Sequence, residues 1–358
     1  MIFGKRIQNT EDIMKIGIGV AGCGAIARTR HIPEYLENPH ANLIGVFDTV
    51  PKRAADIARL YHIHAYASFE EMLKDDSIQA ISICTANRFH AEMSISALNA
   101  GKHVLCEKPM ATSLEEAKMM IDAAQRAGRN LMIGHNQRLN PVHIRAKALL
   151  KTGVIGRPLA FRTAFMHKGP EMWSIDRSQN TWFFQRESAF LGAMCDLGIH
   201  KIDLMRWLLD DEFVEAFASF ATLDKRDAAG QPIPVEDNAA CVLRMRKGVL
   251  GTLTASWTCY AGEENASLIY GTGGTMRIGE SPLDSIVIHQ KSGECIRVQC
   301  GALQPNELQT SSGVIDQFLQ EIVEKRPAEI SGEEGLAALE AVLACARAAQ
   351  TGQAVRIG

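Results

Sequence analysis

Between residues 14 and 150, short apolar runs alternate with amphipathic stretches. The apolar runs are rich in Ile, Val and Leu and lack strict alternation, which is typical of strands buried on both faces of a sheet. We therefore predict strands in KIGIGVAG, NLIGVF, IQAISIC, KHVLCE and NLMIGH. The stretches between them, such as PKRAADIARLYH and FHAEMSISALNAGK, have the residue spacing of amphipathic helices. This order of elements predicts an α/β domain over residues 14–140, built on a doubly wound parallel sheet.

Capping signals mark two helix boundaries in this region. Ser113 is followed three residues later by Glu116, the signature of a capping box, and the same helical stretch is expected to end near Gly128. Asn140 precedes Pro141, which predicts that another helix begins there.

The pattern changes in the second part of the chain. Residues 159–300 contain alternating strand candidates such as ASLIYGTGGTMRIG and CVLRMRKGVLGTLTASW, in which Arg246–Gly248 predicts a hairpin turn. This succession predicts a mostly antiparallel open sheet, and so an α+β domain over residues 141–358. We expect that domain to bind the substrate and to form the oligomer.

The two ends of the chain have their own patterns. Helical stretches at 311–324 and 332–350 close the sequence, and the last helix is expected to pack back on the first domain. Residues 1–13 precede Met14 as an extension, and they lack the apolar core of a signal peptide.

Composition narrows the class of partner. The 358 residues include 38 Lys and Arg against 41 Asp and Glu, so a nucleic acid or an anionic membrane is not the expected partner. Nine cysteines without a C-x-x-C pair are typical of reduced thiols, which predicts a cytoplasmic protein. No stretch of eighteen consecutive apolar residues occurs, and no metal site is predicted.

A glycine loop follows the first predicted strand. GIGVAGCGAIA carries Gly22, Gly24 and Ala27 in the G-x-G-x-x-G/A order of a Rossmann dinucleotide-binding loop. In that loop Gly22 would make the tight turn and Gly24 would let a pyrophosphate approach the backbone. The start of the next helix, including Ala25 and Ile26, would offer N–H groups to the phosphates. The alternative is a glycine turn that binds no ligand.

The residue at the end of the second predicted strand supports a nucleotide. Asp48 lies 24 residues after Gly24, where a carboxylate can accept hydrogen bonds from the ribose hydroxyls of adenosine. Because this carboxylate would repel a 2′-phosphate, we predict NAD rather than NADP. Arg53 lies close by and is a further candidate for a cofactor contact.

Two other segments hold polar residues in apolar surroundings. Lys108 ends the strand KHVLCE directly before Pro109, although a lysine at the tip of a buried strand is costly to desolvate. In FLGAMCDLGIHKIDLMRWLL, a helix would place Asp196 and His200 on one face. The alternative for this face is a polar stripe in contact with solvent.

Taken together, these motifs resemble the Gfo/Idh/MocA family of nicotinamide-dependent oxidoreductases, over nearly the full length from Met14. The matching segments are the glycine loop, TANRFHAEMSISALNAGKHVLCEKPMATS, GHNQRLNP and GAMCDLGIHKIDLMRWLL. The resemblance implies an NAD-dependent dehydrogenase that acts on a secondary alcohol of a sugar, an inositol-like polyol or a glycoside. It also implies a homodimer or homotetramer.

The resemblance implies that Lys108, Asp196 and His200 form the catalytic set beside the nicotinamide. In the expected mechanism His200 removes the hydroxyl proton, since an imidazole titrates near neutral pH, and Lys108 stabilises charge on the reacting oxygen. Asp196 would orient the imidazole or hold a neighbouring hydroxyl. The positive charge of Lys108 is expected to lower the pKa of His200.

Further residues are expected around the two ligands. The candidates near the cofactor, besides Lys108, are Thr85, Asn87, His90 and Glu107. Aromatic faces with polar edges suit sugars, and the irregular segment MHKGPEMWSIDRSQNTWFF supplies several. The candidates near the substrate, besides the catalytic set, are Arg138, His167, Trp173 and Trp182.

The sequence departs from the family pattern at two places. Ala86 stands where the family usually has proline, and only Gly192 remains of a glycine cluster. The bulky Phe190 and Leu191 precede Gly192. These departures affect the expected identity of the substrate more than the expected type of reaction.

Other functions remain as alternatives. One is a glycoside-cleaving enzyme that uses NAD transiently, by oxidation and elimination, and another is a non-catalytic NAD-dependent sensor. A metal-dependent hydrolase is disfavoured, because Asp196 and His200 lack further ligands and His62 and His64 are expected at a strand edge.

Overall fold

A parallel sheet forms the first part of the chain. The computed structural model describes residues 14–280, 283–301, 303 and 311–358. Six strands pair in the order β3-β2-β1-β4-β5-β6, which confirms the predicted doubly wound sheet. The order reverses beside β1, so the carboxyl ends of β1 and β4 open a crevice there. The strands are β1 Ile16–Ala21, β2 Ala41–Phe47, β3 His64–Ala65, β4 Ala80–Ile83, β5 His103–Cys106 and β6 Leu131–Ile133.

Helices connect these strands, and the predicted capping signals are present. The Ser113 hydroxyl accepts a hydrogen bond from the Glu116 N–H at 3.2 Å, and the Glu116 carboxylate accepts one from the Ser113 N–H at 3.1 Å. Gly128 ends that helix in the left-handed conformation, and the Asn140 side chain caps the helix that begins at Pro141. The helices are α1 Ile32–Glu37, α2 Pro51–Tyr61, α3 Phe69–Lys74, α4 His90–Asn99, α5 Leu114–Ala127 and α6 Pro141–Lys151.

A second sheet of nine strands follows, in the order β14-β13-β12-β11-β7-β10-β9-β8-β15. Strands β7 and β10 run parallel, and the other neighbouring strands of this sheet, within the described residues, pair antiparallel, so the sheet is mostly antiparallel, as predicted. The hairpin between β9 and β10 turns where the sequence predicts it. The strands are β7 Pro158–Met166, β8 Phe213–Ala221, β9 Asn238–Met245, β10 Leu250–Ser256, β11 Ser267–Gly271, β12 Gly274–Ile278, β13 Ile286–Gln290, β14 Cys295–Val298 and β15 Val355–Arg356.

Helices pack on one side of the second sheet, and large apolar side chains stand exposed elsewhere on it. The short helix α7 Arg186–Ala189 precedes α8 Ile199–Leu209, and α9 Val314–Val323 and α10 Gly332–Thr351 close the chain. Helices α6, α8 and α10 contact the sheet. Phe217 on β8, Val242 on β9 and Leu250 on β10 are 47%, 43% and 46% exposed.

The last two helices join both cores. Val314 and Phe318 of α9 pack into the core of the first sheet. In α10, Leu339 belongs to that same core, whereas Val342 and Cys345 belong to the core of the second sheet. The chain end therefore ties the two sheets together. Among the described residues, no helix combines the length and the apolar character needed to cross a membrane.

Candidate active site

The glycine loop after β1 has the predicted tight turn. Gly22 has a φ of 93°, and a side-chain carbon added there would lie 2.5 Å from the Cys84 carbonyl oxygen. Glycine is therefore required at this position. A side-chain carbon added at Gly24 would meet nothing within 4 Å, so the backbone there is open to a ligand. The helix after the loop begins with a π turn, Ala27–His31, which the sequence pattern does not predict.

Asp48 directly follows β2 and lies beside the glycine loop. Its carboxylate accepts hydrogen bonds from the Cys23 N–H and the Val50 N–H, both at 2.7 Å, so it is fixed against the glycine loop. The Arg53 guanidinium contacts both carboxylate oxygens of Asp176, at 3.0 and 2.9 Å. Because Asp176 follows β7, this ion pair joins the first sheet's domain to a segment from the second.

The side chains of Lys108 and Asp196 are in contact, and this contact marks what we call the inner end of the cleft. The Lys108 ammonium donates to the Asp196 carbonyl oxygen at 2.7 Å and to its carboxylate Oδ1 at 3.1 Å. The Trp257 indole N–H donates to Oδ2 of the same carboxylate at 3.0 Å, and His167 Nε2 lies 3.8 Å from that oxygen. The carboxylate is thus held by a cation on one oxygen and a buried N–H on the other.

The local fold explains how Asp196 reaches Lys108. Asp196 belongs to a π turn, Met194–Gly198, that leads directly into α8. The Glu236 carboxylate accepts hydrogen bonds from the N–H groups of Gly192 and Met194, at 2.9 and 3.0 Å. A side-chain carbon at Gly192 would lie 1.9 Å from the Glu236 carbonyl oxygen, so this glycine is required by close packing. The predicted helix is therefore present, but it starts with a wider turn.

His200 follows on α8 and is buried, with its ring 5.6 Å from that of Phe165. Burial, and then the positive charge of Lys108, lowers the pKa of His200 well below its ordinary value. The sequence predicts the contribution of Lys108, but burial is the larger cause. His200 Nδ1 has no hydrogen-bond partner among the described residues. The imidazole is therefore neutral near pH 7 and able to accept a proton.

The segment between β7 and α7 covers the cleft with aromatic rings. The rings of Trp182 and Phe183 stack 3.8 Å apart, and Trp173 meets Phe183 edge to face at 5.0 Å. His167 lies edge to face with Trp173 at 6.4 Å. These contacts form a continuous aromatic wall that leads to Asp196.

Three of the remaining cofactor candidates lie in the cleft but already have protein partners. The two ring nitrogens of His90 lie 2.7 Å from the Pro109 carbonyl and 3.0 Å from the Thr85 carbonyl. The Asn87 amide donates to the Ala189 carbonyl at 2.9 Å. Glu107 Oε1 lies 2.9 Å from His31 Nε2. These side chains hold the strand ends in place around the cleft.

The structure does not place Arg138 with the other substrate candidates. Its guanidinium is 5% exposed and makes ion pairs with the carboxylates of Asp203 and Glu334. These contacts connect the segment after β6 to α8 and α10. Because two carboxylates already hold the guanidinium, the expected substrate contact of Arg138 has no support in this geometry.

A single cleft of about 820 Å³ brings most of the predicted residues together. Five predicted residues are not part of its lining, namely Gly22, Asp48, Arg138, His167 and His200. No motif singles out Phe183 or Trp257, because their contacts form only in the folded chain. The predicted residues in the lining are Gly24, Ala25, Ile26, Arg53, Thr85, Asn87, His90, Glu107, Lys108, Trp173, Trp182 and Asp196.

The first-domain end of this cleft fits a dinucleotide. The open backbone at Gly24 leaves room for a pyrophosphate, and Asp48 is fixed at the end of β2. The buried Thr85 hydroxyl borders the cleft and has no partner among the described residues, so a ligand can supply one. The residues at this end of the cleft therefore fit a dinucleotide.

Similar proteins point in the same direction. Levoglucosan dehydrogenase from Pseudarthrobacter phenanthrenivorans is 30% identical over 69% of this chain and 67% of its own length. The 1,5-anhydro-D-fructose reductase of Ensifer adhaerens is 29% identical over 95% of this chain and 98% of its own length. A solved levoglucosan dehydrogenase in complex with NADH superposes with a TM-score of 0.85, at 25% identity, over 96% of this chain and all of that one.

Family models match both parts of the chain. A model of an oxidoreductase family with an NAD-binding Rossmann fold matches residues 16–135, and the model of the GFO/IDH/MocA C-terminal domain matches residues 143–277. The chain therefore belongs to the Gfo/Idh/MocA family of oxidoreductases, and its first domain is an NAD-binding Rossmann fold.

Proposed function

We propose that this protein is an NAD-dependent dehydrogenase that transfers a hydride between nicotinamide and a secondary alcohol of a sugar, polyol or glycoside. The observation that carries the proposal is the contact between Lys108 and Asp196 across the cleft, beside the neutral His200. Alcohol oxidation needs a proton acceptor and a cation near the same oxygen, and this group supplies both.

Each member of the group has a distinct task. Lys108 donates a hydrogen bond to the reacting oxygen and stabilises the negative charge that develops on it. His200 accepts the hydroxyl proton, and we assign Nε2 because Nδ1 is fully enclosed. Asp196 keeps the Lys108 ammonium in place through their 3.1 Å contact. The bound nicotinamide would take up the hydride from the same carbon.

The cofactor is held by the first domain. We propose that the backbone from Gly22 to Ile26 binds the pyrophosphate and that Asp48 binds the adenosine ribose. The Asp48 carboxylate disfavours a 2′-phosphate, so NADP is the weaker cofactor. Thr85 and Glu107, which border the cleft between the two ends, are placed to contact the remainder.

The alternatives receive less support. A sensor has no need of the Lys108–Asp196 contact, and the similar proteins with assigned activities include a dehydrogenase and a reductase. A glycosidase with transient NAD oxidation would show no net cofactor reduction, so the experiment below separates it from the dehydrogenase.

We propose that a second copy covers the exposed side of the second sheet, giving a homodimer or homotetramer. The exposed Phe217, Val242 and Leu250 lie on three adjacent strands, as an apolar interface requires. Light scattering on the purified protein, with Val242→Glu as a variant, tests this assembly.

All nine cysteines are free thiols, which supports a reducing compartment such as the cytoplasm.

The test of function is net cofactor reduction. Purified protein is mixed with NAD and, in turn, with inositols, anhydro sugars, free sugars and glycosides, while the absorbance of reduced nicotinamide is followed. A rise that disappears in Lys108→Met supports the dehydrogenase. Release of an aglycone without net reduction would instead support the glycoside-cleaving enzyme.

A further inference from the structure

The lining of the cleft contains more carboxylates than permanent cations. Its lining holds two permanent cations, Arg53 and Lys108, and three carboxylates, Glu107, Asp176 and Asp196. Each cation already contacts a carboxylate, Arg53 that of Asp176 at 2.9 Å and Lys108 that of Asp196 at 3.1 Å. Arg53 and Asp176 lie toward the glycine loop, where NAD would bind, so Lys108 is the only permanent cation at the inner end of the described lining, and Asp196 already holds it.

The histidines around the inner end do not change this balance. Burial lowers the pKa of His90, His167 and His200 below its ordinary value, so these rings are uncharged near neutral pH. An anionic group that entered here would meet neutral imidazoles and a Lys108 ammonium that is already paired with the Asp196 carboxylate.

Two lysines lie behind the aromatic wall, and both are engaged. The Lys225 ammonium contacts the Glu171 carboxylate at 2.5 Å and lies 4.8 Å from the centre of the Tyr260 ring. Lys201 is fully buried and donates to the Asn265 carbonyl at 3.0 Å. Neither lysine borders the cleft.

The opposite wall is apolar. Trp173, Trp182 and Phe183 form a connected set of rings within the lining. Such faces pack against the C–H groups of a sugar ring or against an apolar aglycone, while the hydroxyls remain available for polar contacts at the edges.

From these observations we infer that the cleft selects an uncharged carbohydrate that presents an apolar face, and that it rejects sugar phosphates and sugar acids. This inference rests on the proposed function and narrows its substrate class. The selection arises at the inner end of the cleft, because Lys108 cannot compensate a buried phosphate or carboxylate there without giving up Asp196.

The experiment compares matched pairs of compounds with the NAD-bound enzyme. The pairs are glucose with glucose 6-phosphate, myo-inositol with myo-inositol 1-phosphate, and methyl glucoside with methyl glucuronoside. We expect kcat/KM to be at least a hundredfold higher for the neutral member of every pair that reacts. An anionic compound that matches or exceeds its neutral partner overturns the inference.

Binding keeps this test separate from the test of function. If no compound reduces NAD, the proposed dehydrogenase activity fails, and the same pairs are then titrated against the NADH complex by calorimetry. Tighter binding of the neutral members still supports selection by charge. Equal or tighter binding of the anionic members, or no binding of any compound, contradicts it.

A variant tests the cause of the selection. Trp182→Lys adds an uncommitted cation to the aromatic wall and should narrow the preference for neutral compounds by about tenfold. Trp207→Lys is the matched control, because Trp207 lies on α8 outside the cleft lining. An unchanged preference in Trp182→Lys, with the fold retained by circular dichroism, counts against the electrostatic explanation.

Discussion

Trp257 donates its indole N–H to Asp196 Oδ2 at 3.0 Å, although 61 positions separate the two residues. Trp257 is fully buried, so this hydrogen bond is shielded from water. The indole therefore fixes the carboxylate that holds Lys108, and Trp257 acts as a positioning residue.

Trp257→Phe keeps an aromatic ring in place and removes the N–H. A hydrogen bond to a charged group contributes about 1.5–3 kcal/mol, so we expect kcat to fall about tenfold or more. KM should change little, because Trp257 does not border the cleft. Trp207→Phe is the control, and an unchanged kcat in Trp257→Phe would leave the indole only a packing role.

Lys108→Met removes the cation and retains a long side chain. Since no other lysine borders the cleft in the described residues, we expect kcat to fall by at least two orders of magnitude. Binding of NADH, followed by its fluorescence, should change little. Activity close to that of the unmodified protein would refute the assigned role of Lys108.

In the unmodified protein the Arg53 guanidinium is paired with the carboxylate of Asp176, which lies in the segment after β7. Asp176→Asn removes that negative charge and frees the guanidinium. A free guanidinium near Asp48 can contact a 2′-phosphate, so we expect kcat/KM for NADP to rise about tenfold with little change for NAD. Asp56→Asn is a matched control, because Asp56 pairs with Lys52 on the same helix, α2. Loss of NAD activity without gain for NADP would show that Asp176 serves only to close the cleft.

Acid should destabilise the fold through its buried histidines. Burial lowers the pKa of each, to about 3 for His143, whereas an unfolded histidine titrates near pH 6.5. The unfolded state therefore binds more protons below about pH 6.5, and stability falls as the pH is lowered toward the folded pKa values. The histidines with a lowered pKa are His90, His103, His135, His143, His167 and His200.

Chemical denaturation at pH 7, 6 and 5 measures the free energy of unfolding. We expect each histidine to lower it by up to about 1.4 kcal/mol for each unit by which the pH falls. His143→Asn keeps a donor toward the Gln137 carbonyl and removes one titrating ring, so its pH slope should be smaller by about one proton. A free energy of unfolding that is constant from pH 7 to 5 would contradict the prediction.

The sequence predicts the features that depend on local pattern. Buried strands, the Ser113 capping box and the Gly22 turn follow from apolar runs, a spacing of three residues and a backbone conformation that requires glycine. Lys108 and Asp196 are also predictable, because both lie in motifs whose order is recognisable. Their contact through the Asp196 carbonyl is not, since it depends on the turn that carries Asp196.

Contacts between distant segments account for what the sequence leaves undetermined. Arg53 and Asp176 lie 123 positions apart, and no local pattern indicates that they pair. Arg138 resembles a ligand contact in sequence, but Asp203 and Glu334 take up its guanidinium only when α8 and α10 pack beside it. Tertiary packing decides which polar groups remain available to a ligand.

The two π turns, Ala27–His31 and Met194–Gly198, stand on opposite sides of the cleft. A π turn holds one residue more than an α turn, and each residue rotates a helix by about 100°. Deleting Leu197, which lies between Asp196 and His200, would therefore rotate these two residues by about 100° relative to each other. We therefore expect a single-codon deletion in Met194–Gly198 to be as damaging as the loss of a catalytic side chain.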